Sequence, residues 1–210
     1  MRREQSGGEE IANAISHGVG FAVSVLAAPI LVSRAAASGQ VGRTVGACVF
    51  AASVMLLYVA STLYHALPKG GAKRFWRVAE HSGIYVLIAG TYTPFTLGVL
   101  HGAWGWTLLV VIWVLAVAGI AFKALGGLRY PTVSTLFYVA MGWLLVVAAP
   151  TVWARVATAG IAWLVAGGLA YTMGVAFYAA RHLRFGHFIW HIFVLAGSTC
   201  HFFAVMWYAA

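Results

Sequence analysis

The sequence predicts an all-α integral membrane protein, a seven-transmembrane helix bundle with its N-terminus in the cytoplasm and its C-terminus outside. Three observations carry that expectation. The 210 residues are 62% hydrophobic and only 8% charged, with a mean hydropathy of +0.90, where a soluble domain carries about 25% charged residues. The apolar runs are about 20 residues long, the length that crosses a bilayer as a helix. They also lack the period-two alternation of a barrel strand, the other structure that satisfies its backbone in lipid. Finally, the cations gather at the ends of these runs, ten on one side and three on the other.

Taken in order, the spans are expected near 11–33, 44–67, 76–99, 103–123, 131–151, 156–180 and 187–209, in one domain covering 1–210. The first is no cleavable signal, because acidic residues precede it, His17 lies within it and six more spans follow. Pro68-Lys69-Gly70-Gly71 closes the second span, and Gly126-Gly127 breaks the connection after the fourth. Pro29 and Pro94 fall inside spans and are expected to kink them. There is no convincing internal repeat, and an odd number of spans argues against two inverted halves. Cys48 and Cys200, with no paired framework, read as small core residues.

Orientation follows from Arg2, Arg3, Lys69, Lys73, Arg74, Arg77, Lys123, Arg129, Arg181 and Arg184 on one side, against Arg34, Arg43 and Arg155 on the other. Positive charge flanking a span marks its cytoplasmic end. The net charge of +9 is therefore topology information, and nucleic acid is not an expected partner. The four carboxylates, Glu4, Glu9, Glu10 and Glu80, are scarce enough that each one near a span carries weight.

With orientation set, the polar residues inside the apolar runs fall at one depth, near the cytoplasmic face. Ser61 and His65 end the second span, Glu80 and His81 open the third, and His187 and His191 open the seventh. Glu10, Asn13, Ser16 and His17 open the first. Residues four apart share a helix face, so His187 and His191 form a pair that can grip one ion, and His65 shares a face with Ser61. Catalytic zinc commonly takes three protein ligands and keeps a fourth position open. His65, His187 and His191 are thus the candidate Zn2+ ligands, with Glu80 to hold and deprotonate a water and Ser61 to hydrogen-bond that water or the substrate and its oxyanion. Glu10, Asn13 and His17, spaced i, i+3, i+7, make one accessory polar stripe.

Plainer accounts stand beside each of these. The paired histidines suit an interface beside Trp190, Glu80 suits a surface pair with Arg77 or Lys73, and the first-span stripe suits capping and packing. His201, ten residues past His191 and about 15 Å along the helix, is too far to share the ion and reads as a hydrogen-bonded bundle histidine. His101 and His182 read as loop residues.

These residues together resemble the hemolysin III family, the bacterial branch of the progestin and adipoQ receptors. The resemblance covers essentially the whole chain. It rests on Glu10-x-x-Asn13-x-x-x-His17, Ser61-x-x-x-His65, Glu80-His81-Ser82-Gly83-Ile84-Tyr85 running into Gly90-Thr91-Tyr92-Thr93-Pro94-Phe95, and His187-x-x-x-His191. It implies a seven-helix bundle and, by analogy with the receptor branch, zinc on His65, His187 and His191 near the cytoplasmic face. One departure stands out, since the family usually has Asp where this chain has Glu80, which keeps the charge and reaches one methylene farther. Receptor-branch relatives have been associated with ceramide hydrolysis. The expected function is accordingly a zinc-dependent hydrolase of a lipid amide or ester in the inner (plasma) membrane, with membrane lipid as its partner and a role in membrane-lipid homeostasis. The alternatives are a pore, as the family's name implies, and a receptor or sensor with structural zinc. A pore through one chain is disfavoured because Val25–Val32 and Leu144–Ala149 are almost wholly apolar.

Overall fold

A computed structural model describes residues 4–100, 102–180 and 182–210. Arg2, Arg3, Arg181 and His101, used above for topology and loops, lie outside the described residues. The elements are α1 (Gly7–Ala37), α2 (Val41–Ala66), α3 (Gly71–Gly98), α4 (Gly102–Ala124), α5 (Pro131–Gly142), α6 (Ala149–Arg155), α7 (Thr158–Ala179) and α8 (Gly186–Tyr208). No strand occurs among the described residues. Among the described residues, six helical stretches are long and apolar enough to cross a membrane, namely α1, α2, α4, the rod Pro131–Arg155, α7 and α8. Their outward faces carry Leu26, Val110, Val114, Leu136 and Val147, which suits lipid as solvent and makes this a helical membrane protein.

α3 is 28 residues long but falls outside that apolar set. Its first turns hold Lys73, Arg74, Arg77, Glu80 and His81, and its second half is enclosed by protein through Tyr85, Leu87, Ala89 and Phe95. A helix wrapped by its neighbours has little need of an apolar exterior, which accounts for the low hydropathy. α3 packs closely on α2 because small residues face across the contact. A Cβ at Gly90 would run into the Ser53 side chain, and one at Gly46 into the Pro94 backbone.

Two differences from the expectations are physical in origin. The expected span 131–151 is not one α-helix. It stops at Gly142, passes through a 3-10 turn over Leu144–Ala148 and resumes as α6, which extends to Arg155. Pro150 has no N–H to give and favours a first helical turn, so the helix restarts there. The backbone groups released at the break are met by Tyr92 of α3. Its hydroxyl lies 2.9 Å and 3.0 Å from the Met141 and Gly142 carbonyl oxygens and accepts from the Leu145 N–H at 2.9 Å. The second difference is Cys48, which faces outward rather than into the core, while Cys200 is half-buried. Apolar sequence surrounds both faces of a lipid-facing helix, so hydrophobicity alone does not tell core from exterior there.

The start of α1 sets the position of α8. Ser6 caps α1 in a reciprocal pair with Glu9, the Ser6 N–H donating to Glu9 Oε2 at 2.9 Å. The other oxygen, Glu9 Oε1, accepts from the Phe185 N–H at 2.8 Å. Phe185 is the left-handed residue (φ 56°) immediately before α8. One carboxylate therefore pins the first turns of α1 and α8 side by side, and with them the polar residues each helix carries.

Candidate functional site

His65 in the last turn of α2, Glu80 in α3, and His187 and His191 in α8 each offer a ligand atom, and these four atoms lie within 4.8 Å of one another. The histidine ring centroids are 5.1 Å apart for His65 and His187, 5.2 Å for His65 and His191, and 4.7 Å for His187 and His191. Glu80 Oε1 is 3.4 Å from His65 Nε2 and 4.0 Å from His191 Nε2. His65, Glu80 and His191 are all buried. The surface pairing of Glu80 with Arg77 or Lys73 is not adopted. Glu80 instead accepts from Ser61 Oγ at 2.7 Å, and its Oε2 lies 3.3 Å from His81 Nδ1. Lys73 turns to Glu10, 3.2 Å away, and to the Tyr64 and Leu67 carbonyl oxygens.

The first turns of α1 pack behind the histidines and set which nitrogen of His65 and of His191 carries hydrogen. Glu10 Oε2 sits 2.7 Å from His65 Nδ1. Nδ1 is therefore the donor to a carboxylate, and in the neutral ring Nε2 is left with a bare lone pair. Nε2 is buried without a hydrogen-bond partner. At His191, Nδ1 lies 3.0 Å from Ser16 Oγ and 3.3 Å from the Asn13 carbonyl oxygen. Ser16 already donates its own hydrogen to Asn13 O at 2.8 Å, so both neighbours are acceptors and His191 Nδ1 must donate. Its Nε2 is thereby also a lone pair, turned toward Glu80. Two lone pairs and a carboxylate oxygen converging in a buried space repel one another unless a cation lies between them. The donor set of imidazole nitrogens and carboxylate is the one zinc takes, and the outward hydrogen bond of each ring to an acceptor is the arrangement that steadies a metal-binding histidine. The residues fit a zinc ion.

Every residue proposed from sequence therefore lies in or against this cluster. His17 stacks on His191 with ring centroids 3.7 Å apart and planes within 2°. The Asn13 side chain donates to Gln5 Oε1 at 3.0 Å, while its main chain serves His191. The specific tasks of Ser16 and Lys73 were not foreseen. Ser16 lies one turn beyond Asn13, which is the available signal, whereas Lys73 reads from the sequence as a topology charge or a surface partner of Glu80 rather than of Glu10. His201 lies apart, its Nε2 3.3 Å from the Leu164 carbonyl oxygen, and His182 lies in the turn before α8.

The cluster opens onto a cavity of about 340 Å³ between α3, the broken fifth rod, α7 and α8. His17, Glu80, His187 and His191 line one part of it. Leu87, Ile88, Phe95, Val146, Leu164 and Val194 are among its apolar lining. Tyr138, which also lines it, donates to the His81 carbonyl oxygen at 2.7 Å and so braces α3 beside Glu80.

Comparison with known proteins gives a consistent answer. The family described as Haemolysin-III related matches residues 6–202. The chain is 45% identical over 200 residues to the Hemolysin-3 homolog of Bacillus subtilis (strain 168), covering 95% of this chain and 94% of that one. It is 44% identical to Hemolysin-3 of Bacillus cereus, over 95% of this chain and 91% of that protein. The human Monocyte to macrophage differentiation factor is 30% identical over 174 residues, 77% of this chain and 69% of its own length. No solved structure matches the chain significantly. On the match across nearly its whole length and on these identities, the chain belongs to the haemolysin III family of membrane proteins.

Proposed function

We propose that this protein is a seven-pass, zinc-dependent hydrolase that cleaves the amide or ester bond of a lipid-like substrate, with its site near the cytoplasmic face of the plasma membrane (the inner membrane where there are two), in the service of membrane-lipid homeostasis. The observation that carries the reading is the convergence of two tautomer-fixed Nε2 atoms, from His65 and His191, on the buried Glu80 carboxylate, with His187 alongside. The enclosure of α3 between its neighbours supports counting it as the seventh pass, since 28 residues of helix span about 42 Å.

In this reading His65, His187 and His191 hold the ion, which supplies Lewis-acid polarisation and activation of water. The chain's own residues do the rest. Glu10 and Ser16 hold the His65 and His191 rings in one tautomer. Ser61 occupies Glu80 Oε1 and fixes the carboxylate's rotation. Glu80 Oε2, buried and without a hydrogen-bond partner, is the atom that takes the proton of the attacking water and returns it to the departing amine or alcohol. The apolar cavity takes the acyl chain and keeps bulk water from the reacting carbonyl. A lining of Leu, Ile, Val and Phe suits an acyl chain and not a hydrated ion path.

The test is metal analysis of the purified protein together with turnover of a long-chain lipid amide. We expect about one zinc per chain, lost with activity in His191→Ala. In Glu80→Gln we expect zinc to be retained and turnover to fall by about 10²–10⁴-fold. Protein that takes up no zinc on reconstitution would overturn the reading, and His65 would then be an imidazolium held between Glu10 and Glu80.

A further inference from the structure

Deeper in the same cavity the polar groups are spent on the protein itself. Thr91 donates to Leu87 O at 2.8 Å, Thr172 to Gly168 O at 2.7 Å, and the Tyr171 and Ser198 hydroxyls pair at 2.8 Å. His201 is different. Its ring lines the cavity, and Gly167, having no Cβ, lets the Cδ2–Nε2 edge press against α7. Nε2 lies 3.3 Å from the Leu164 carbonyl oxygen. A carbonyl oxygen only accepts, so the hydrogen sits on Nε2 and the opposite edge carries a bare Nδ1. Nδ1 is buried without a hydrogen-bond partner. The Tyr171 ring, 5.4 Å away, steadies the imidazole without offering it a bond. An acceptor left unmet in an apolar interior is destabilising, yet the site holds a histidine where leucine would fill the space.

We propose that His201 is a second binding station in the cavity, accepting a hydrogen bond from a hydroxyl or N–H borne partway along the chain of a long lipid ligand. The inference rests on the reading that the cavity holds a lipid-like substrate with its scissile group at the histidine cluster. Ten residues of helix separate His201 from His191, about 15 Å of axial distance, so the donor belongs at mid-chain rather than near the head. The preferred ligand is a hydroxylated long-chain lipid amide or ester. A plain acyl chain passes the same point and leaves Nδ1 unmet.

The decisive comparison uses the zinc-loaded protein in lipid nanodiscs, titrated with stearamide and with a stearamide bearing one hydroxyl at mid-chain. The wild type is expected to bind the hydroxylated amide about tenfold more tightly, the effect of one buried hydrogen bond. His201→Leu should abolish or reverse that preference, with the zinc content unchanged as the check that the variant is folded. His201→Gln, which retains an acceptor, should restore part of it. Equal binding of the two amides by the wild type, or a preference that survives in His201→Leu, overturns this inference and leaves the hydrolase reading standing. Binding of neither amide overturns both.

Discussion

At the scale of single residues, the chemistry depends on which ring nitrogens are bare, and acceptors placed behind the rings decide that. Glu10 is the clearest case, since its carboxylate is 2.7 Å from His65 Nδ1 and is itself held by Lys73 at 3.2 Å. Glu10→Gln keeps the shape but allows the amide to present an N–H to the ring, favouring the wrong tautomer. The zinc affinity of that variant, read by chelator competition, should fall by about 10–100-fold. An unchanged affinity would mean that Glu10 does not orient the ring. The clustering of His65, His187 and His191 with Glu80 is legible in the sequence because helix spacing and depth bring them to one layer. The tautomer control is not legible, because it depends on how α1 packs against α2 at His65 and against α8 at His191, a tertiary fact that no spacing along one helix encodes. Glu80 Oε1 accepts from Ser61 at 2.7 Å and lies 3.4 Å from His65 Nε2, so one oxygen of this carboxylate is engaged while the other stays without a hydrogen-bond partner.

At the scale of elements, run length and flanking breakers mark the apolar helices, whereas the interruption of the fifth rod is not legible in them. An unbroken apolar stretch hides a break whose cost is met by another helix, and here Tyr92 supplies the partners from α3. Tyr92→Phe removes the hydroxyl while keeping the ring, leaving the Met141 and Gly142 carbonyls and the Leu145 N–H with one partner fewer. The loss should be about 1–2 kcal/mol, visible as an earlier midpoint in denaturant-induced unfolding in detergent. Because the 3-10 turn borders the cavity through Leu145 and Val146, lipid-amide binding should weaken in the same variant. A midpoint within error of wild type would show that water or lipid already satisfies those groups. Cys48 carries the same lesson as the fifth rod, since outside a lipid-facing helix the sequence is as apolar as within the core.

For the whole molecule, the two ends of the bundle are sorted by contacts remote in sequence. At one end Lys69 pairs with Glu4 at 3.0 Å and Lys73 with Glu10, beside the His/Glu cluster. At the other, Arg43 donates to the Ala210 carbonyl oxygen at 3.1 Å, and Arg155 donates to that of Leu100. The charge asymmetry seen in the sequence thus coincides with two physical ends, and the cluster lies at the cation-rich one. Which end faces the cytoplasm is a separate matter, decided during insertion by the excess of Lys and Arg. The pair at Lys69 is exposed on both partners, so a reporter placed there disturbs little. With Cys48→Ala and Cys200→Ala as background, Lys69→Cys should react with a membrane-impermeant maleimide in inside-out vesicles and stay unlabelled in intact cells or spheroplasts. Val41→Cys, at the exposed start of α2, should show the opposite pattern. Reversal of both patterns would put the cluster on the outer face, so a hydrolase working there would draw on outer-leaflet lipid and release its products away from the cytoplasm. Labelling of both positions from the same side would mean that α2, the one helix between them, does not cross the membrane, and the seven-pass count would fall with it.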